Sequence, residues 1–214
     1  MITIKTFVFN PFQVNTYVVW DESGCSTIID PACCTFEEFE SLKSYIAGQK
    51  LTPTGIVLTH GHADHLLGLE RISQWYGLQP IIHRDEVAYA QTAAQQAMLF
   101  GLPYEAFTGE WQLVEEGEKV MLGQTEAEIF TLSGHSPAGM AIYSRSDHCI
   151  FTGDALFKGS IGRTDLPGGD YDTLISHIRE KLLTLPPDTM VFPGHGPHTT
   201  IAHEMKYNPF IASL

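Results

Sequence analysis

Apolar residues recur along this chain with two different periods, and the switches between them predict its elements. Ile2–Phe9, Asn15–Trp20 and Ser26–Ile29 are β-rich runs parted by Asn10-Pro11 and by Glu22-Ser23-Gly24, residue types that end strands and favour turns. Phe36, Phe39, Leu42, Tyr45 and Ile46 then follow the spacing of one helix face. Thr35 ahead of them, with Glu38 three residues on, has the pattern of a capping box and starts a helix over Phe36–Ala47. Gly55–Thr59 is a short apolar strand, and Asp64–Tyr76 puts Leu66, Leu69, Ile72 and Tyr76 on one helical face. Pro80–Ile82 is a strand, and the Ala- and Gln-rich stretch from Asp85 to about Phe100 reads as a helix. Gly101–Glu118 lacks any period and reads as a loop near the mouth of a site.

The second half repeats this rhythm. Strands are expected at Lys119–Leu122, Glu126–Leu132, Met140–Tyr143 and Cys149–Phe151, then a helix over Tyr171–Leu183, a strand at Met190–Phe192 and a last helix from about Thr200. Strands in both halves, each set followed by helices, predict an α/β protein: a four-layer αββα sandwich with two sheets face to face and helices outside. The expected organisation is one domain over 1–214, in two pseudo-symmetric halves of roughly 1–118 and 119–214.

Composition narrows the class. With 214 residues, 43% apolar and 17% charged, the chain can bury a sizeable core. No run approaches the ~18 apolar residues of a membrane span, so no membrane partner is expected. Met1-Ile2-Thr3-Ile4-Lys5 starts as a strand and not as a signal peptide, which places the protein in the cytoplasm. The formal charge of −13, from 25 acidic and 12 basic residues, argues against nucleic acid as a partner, because that affinity rests on Lys and Arg at phosphates. Cys25, Cys33, Cys34 and Cys149 show no C-x-x-C spacing and read as reduced thiols.

Candidate chemistry begins at Thr59-His-Gly-His-Ala-Asp-His65, straight after an apolar run. Imidazole and carboxylate groups packed this densely would desolvate and repel one another without a cation between them. His60 and His62, two apart in an extended turn, can reach one ion; Asp64 and His65 project toward a second position. Three more candidates sit where a strand has just ended, each after a glycine: His135 in Leu132-Ser-Gly-His-Ser-Pro, Asp154 in Phe151-Thr-Gly-Asp, and His195 in Val191-Phe-Pro-Gly-His-Gly. His83, His148, His177, His198 and His203 lack that context and are expected to be non-ligands; Tyr17 is expected to pack, and Lys158 to lie on the surface.

Together T-H-G-H-A-D-H at 59–65, S-G-H-S-P at 133–137, F-T-G-D at 151–154 and P-G-H-G at 193–196 resemble the metallo-β-lactamase superfamily. The resemblance implies that His60, His62 and His135 hold one metal ion, that Asp64, His65 and His195 hold another, and that Asp154 bridges them. Asp154 stands where the superfamily's antibiotic hydrolases carry Cys, which points away from lactams. The segment from Gly153 to Asp170 is similar to the glyoxalase II-like branch, in its short bacterial form without a C-terminal helical domain. That branch implies hydrolysis of a thioester such as an S-acylglutathione, a small-molecule partner, with Arg163 turned toward a carboxylate of the thiol half; the bland alternative for Arg163 is a salt bridge to Asp165 or Asp170. Two divalent ions, zinc first with iron or manganese also fitting the donors, would lower the pKa of a shared water and supply a hydroxide nucleophile, with Asp64 orienting it. Some members of the branch are instead mononuclear iron persulfide dioxygenases, and Gly162-Arg-Thr-Asp165 resembles them too.

Overall fold

A computed structural model describes residues 1–212 of the chain. The N-terminal half builds a six-stranded sheet. Strands β1 (Thr3–Phe9), β2 (Val14–Trp20) and β3 (Cys25–Ile29) are antiparallel, and β4 (Thr52–Val57), β5 (Pro80–His83) and β6 (Gln112–Val114) continue it in parallel. In the second half β7 (Lys119–Leu122), β8 (Thr125–Thr131), β9 (Met140–Ser144) and β10 (Cys149–Gly153) run up and down. A small hairpin follows, β11 (Leu156–Phe157) with β12 (Ser160–Ile161). Then β13 (Met190–Pro193) joins β10 in parallel, and β14 (Thr199–Thr200) closes the edge of a second six-stranded sheet.

Period-two alternation gives each strand two apolar faces, and this is what allows four layers. Tyr17 and Val19 of β2, Ile29 of β3, Met140 and Ile142 of β9 and Phe151 of β10 meet between the sheets. Their neighbours Val18 and Ile28 face outward, under Phe39, Leu42 and Ile46 of helix α1 (Phe36–Gly48). On the far side Ala141, Tyr143 and Ile150 face outward under Leu174, Ile178 and Ile201. The αββα sandwich is therefore present. Helix α1 starts as its sequence predicts: the Thr35 hydroxyl accepts from the Glu38 N–H at 3.1 Å, and the Glu38 carboxylate accepts from the Thr35 N–H at 3.3 Å.

Three local expectations need correction. The helix expected over Asp64–Tyr76 is two, α2 (Ala63–Leu66) and α3 (Leu69–Tyr76). The chain bends at Gly68, whose N–H donates to the Pro31 carbonyl at 2.8 Å; a Cβ there would lie 2.3 Å from the Cys33 sulfur. The helix expected from Asp85 to Phe100 is a 3₁₀ turn (Arg84–Glu86) followed by α4 (Val87–Ala90) and α5 (Ala93–Leu99). Both the N–H and the hydroxyl of Thr92 donate to the Tyr89 carbonyl, which tightens the chain into a turn between them. The stretch Gly101–Glu118, expected to be loop, contains β6. This edge strand buries only Val114, so it carries no readable period. The β11–β12 hairpin was also not anticipated. Long-range bonds pin it: the Gly159 N–H donates to Glu204 at 2.8 Å, and Asn208 Nδ2 donates to the Ser160 carbonyl at 2.9 Å.

The remaining helices are α6 (Tyr171–His177), which runs into a π-helical stretch Ile178–Leu182, and α7 (Ile201–Tyr207). Among the described residues no helix is long and apolar enough to cross a membrane.

Candidate metal centre

Segments following β3, β4, β8, β10 and β13 carry the candidate side chains, and packing the two sheets face to face brings them to one place. The Thr59–His65 loop leaves β4 and is held by buried acceptors. Asp30, just past β3, accepts from the Thr59 N–H at 2.7 Å and the Thr59 hydroxyl at 2.6 Å. Glu86 accepts from the Gly61 N–H at 2.9 Å, and the same carboxylate accepts from the Ala138 N–H at 2.6 Å in the turn that carries His135. A single buried glutamate thus ties a loop of the first sheet to a loop of the second. The His195 turn is held by Asn15 Nδ2 and the Tyr17 hydroxyl, which donate to the Pro193 carbonyl at 2.9 and 2.6 Å. Tyr17, expected only to pack, therefore also fixes this turn. Gly194 beside it is obligatory, because a Cβ would sit 2.1 Å from Asp154 Oδ1.

Each histidine has one nitrogen committed, and that sets which nitrogen faces the site. His60 Nδ1 faces the Thr59 hydroxyl oxygen at 3.0 Å, an acceptor there since its own proton goes to Asp30. His65 Nδ1 donates to Asp30 at 2.9 Å, His135 Nδ1 to the Arg163 carbonyl at 2.8 Å, and His195 Nδ1 to the Phe12 carbonyl at 2.9 Å. All four turn Nε2 toward the site. His62 is reversed: its Nε2 meets the Tyr89 hydroxyl at 3.0 Å, leaving Nδ1.

All seven sequence candidates come together. Ligating atoms of His60, His62 and His135 lie within 4.8 Å of one another, as do those of Asp64, His65 and His195. Asp154 lies between the two trios: its Oδ2 is 3.6 Å from His135 Nε2 and 3.3 Å from His195 Nε2, and its Oδ1 is 3.4 Å from His65 Nε2. A third close trio, Asp30 with His60 and His65, is different in kind, because the Asp30 carboxylate is already spent on Thr59 and His65.

Do these residues fit a metal? His60 Nε2, His135 Nε2 and Asp154 Oδ1 are buried without any hydrogen-bond partner. Orphaned buried acceptors are costly and call for an explanation; three of them converging, with His65 Nε2 and His195 Nε2 facing each other at 3.4 Å, fit a site for cations. Charge divides the site in two. Burial holds His60 well below its ordinary range, lowers His62 to about 3 and lowers His135, so the first trio is neutral. Burial acts the same way on His65 and His195, but hydrogen bonds and charge from Asp154 and Asp64 more than reverse it; His65 rises well above 6.5 and His195 to about 9. Burial pushes Asp154 up, and His65 with His195 overcome this to hold it well below the usual carboxylate range.

Arg163 presents a less direct picture. Its guanidinium is exposed and forked onto Asp165 through two 2.8 Å bonds, the salt-bridge alternative, although it also lines the cleft above the site. Its carbonyl, not its side chain, holds His135. Lys158 is exposed. Among the described residues His83, His148, His177, His198 and His203 belong to none of the close ligand trios. Three contributors were missed from sequence. Asp30 had a signal, since it ends an apolar run just as Asp154 does; Glu86 and Tyr89 had none, being defined by contacts across the fold.

The family model for the metallo-beta-lactamase superfamily matches residues 9–195, and the chain belongs to that superfamily. A relative from Haemophilus influenzae, hydroxyacylglutathione hydrolase GloC, is 38% identical over 99% of both chains. Among solved structures, BLEG-1, described as a B3 metallo-beta-lactamase, superposes with a TM-score of 0.90 at 33% identity, covering 98% of this chain and 99% of that one. TTHA1623 in a di-iron-bound form gives 0.88 at 34% identity, covering 96% and 99%.

Proposed function

We propose that the chain is a two-metal hydrolase of thioesters, with an S-acylglutathione as the type of substrate. The observation that carries this reading is the placement of Asp154 between two trios of potential ligand atoms, an arrangement suited to two cations sharing one carboxylate. His60, His62 and His135 would hold one ion, Asp64, His65 and His195 the other. Divalent ions there, zinc being the first choice, would supply Lewis acidity toward a thioester carbonyl and would acidify a bound water. The relationship to GloC supports the thioester, and Asp154 and the histidines suit zinc, iron or manganese.

The chain's own groups have defined tasks. Asp64, ionised and only partly buried at the cleft, accepts a hydrogen bond from the attacking water and aims it. Water adds to the acyl carbon, the C–S bond breaks, and the products are a carboxylate and a thiolate, with the two protons of the water released to solvent, one of which the thiolate can take up after it leaves. The thiolate is stable enough to leave with little proton donation, so no strong general acid is required. Arg163, which lines the cleft, would take a carboxylate of the thiol half by giving up Asp165.

The test is steady-state thiol release from S-lactoylglutathione and simple acyl thioesters by protein with both sites filled. Release supports the reading; intact substrates refute it. A second reading, a mononuclear iron dioxygenase acting on a persulfide, draws on the resemblance of Gly162-Arg-Thr-Asp165 to such members of the branch; the two irons described for TTHA1623 support only the suitability of iron to this kind of site. Anaerobic purification separates the two: iron together with oxygen uptake on a persulfide would favour the oxygenase, and a lack of both would eliminate it.

A further inference from the structure

The cleft over the site has a volume of about 160 Å³; His62, Asp64, His135, Asp154 and His195 face it, and Phe12, Ala63, Phe100, Leu102 and Leu166 make up its apolar lining. Phe12 comes from the β1–β2 turn and Phe100 from the end of α5, yet their rings meet edge-on with centroids 5.4 Å apart. Both are open to solvent, Phe12 by 40% and Phe100 by 54%, and they continue into Met98 and Leu99, which are 75% and 80% exposed. In a chain with a formal charge of −13, no charged side chain occurs between Glu86 and Glu105. Large exposed apolar groups continuous with a site mark a surface that something covers. Arg163 is the only Lys or Arg among the lining residues, and its fork is occupied by Asp165.

We propose that Phe12, Phe100 and Leu102 form an acyl subsite, and that the preferred thioesters carry an apolar acyl group of several carbons, or an aromatic one, in place of a small hydroxylated one. This rests on the thioesterase reading and specifies its substrate class. The thiol half of a glutathione thioester is charged and rich in amides, so the apolar wall suits the acyl half alone. The acyl chain passes from the reacting carbonyl at Asp154 along the Phe12–Phe100 edge, and Leu102 closes the side.

The experiment measures kcat/KM for metal-loaded protein on S-acylglutathiones from acetyl to octanoyl, with lactoyl and benzoyl members. Partial burial of each added methylene predicts a rise of about threefold per carbon over the first four, levelling once the lip is covered. Phe100→Ala and Phe12→Ala, at exposed positions where folding is not at stake, are expected to lower the hexanoyl-to-acetyl ratio at least about tenfold. A flat or falling series, or a slope unchanged in both variants, overturns the acyl subsite while the thioesterase reading stands. Failure to cleave any member with both sites filled overturns the thioesterase reading and the subsite with it.

Discussion

His62 offers Nδ1 to the site while the other four histidines offer Nε2, and the neighbour on the opposite nitrogen makes that choice in every case. The two trios also differ in charge, which gives a pH test. Without metal, His195 keeps its proton up to about 9, so its ion pairs add stability below pH 6.5 that is lost as pH rises through 9. Metal affinity runs the opposite way, since a proton must leave before the lone pair can bind. Filling the Asp64–His65–His195 site near pH 7 is expected to release protons, and its affinity to climb toward pH 9; the His60–His62–His135 site is expected to fill almost without proton release. Calorimetric titration in buffers of different ionisation enthalpy measures this directly, and equal release from both steps would contradict it. Asp30→Asn weakens the partner of His65 Nδ1 directly and that of His60 Nδ1 through Thr59, so affinity at the second site is expected to fall about 10- to 100-fold and at the first by less. The seven candidate ligands are legible because each lies beyond a strand in a short polar motif. Nitrogen choice was not legible, because it depends on partners such as Tyr89 and Phe12 that no local pattern marks.

At the scale of elements, the short α4 and the 3₁₀ turn before it serve as a backing for the three-histidine trio. Glu86 holds the loops of both sheets, Tyr89 touches His62, and a Cβ on Gly61 would come within 2.7 Å of the Ala90 nitrogen. Glu86→Gln turns an NH₂ group toward one of two buried N–H donors, leaving that donor unpaired at a cost of about 1–3 kcal/mol. The expected outcome is a lower Tm together with weaker metal binding at the first trio, read by competition with a chelating dye. A fall in Tm with unchanged first-site affinity would mean that Glu86 only supports the fold. The Ala and Gln content of this segment predicts one continuous helix. Helix propensity could not show the turn at Thr92, which rests on its bonds back to Tyr89. Strands with strong alternation, such as β2 and β9, were legible because both their faces are apolar; β6 was not, having one buried residue.

At the scale of the whole molecule, neither half holds a complete site. His60, His62, Asp64 and His65 come from the first half, and His135, Asp154 and His195 from the second, and the core between the sheets sets their separation. Three carboxylates, Asp30, Asp64 and Asp154, gather there in a chain already at −13, and two divalent cations would offset part of that charge. The layered fold could be inferred from the rhythm of strands and helices, whereas the choice of substrate depends on the apolar lip, which carries no motif. The central claim is a hydrolase that needs two ions joined by Asp154. The most direct measurement is thiol release from an S-acylglutathione as metal is added back to stripped protein, with metal per chain determined on the same samples. The account predicts little activity at one ion per chain and full activity near two. Activity complete at one ion, or no thiol release at two, would contradict it.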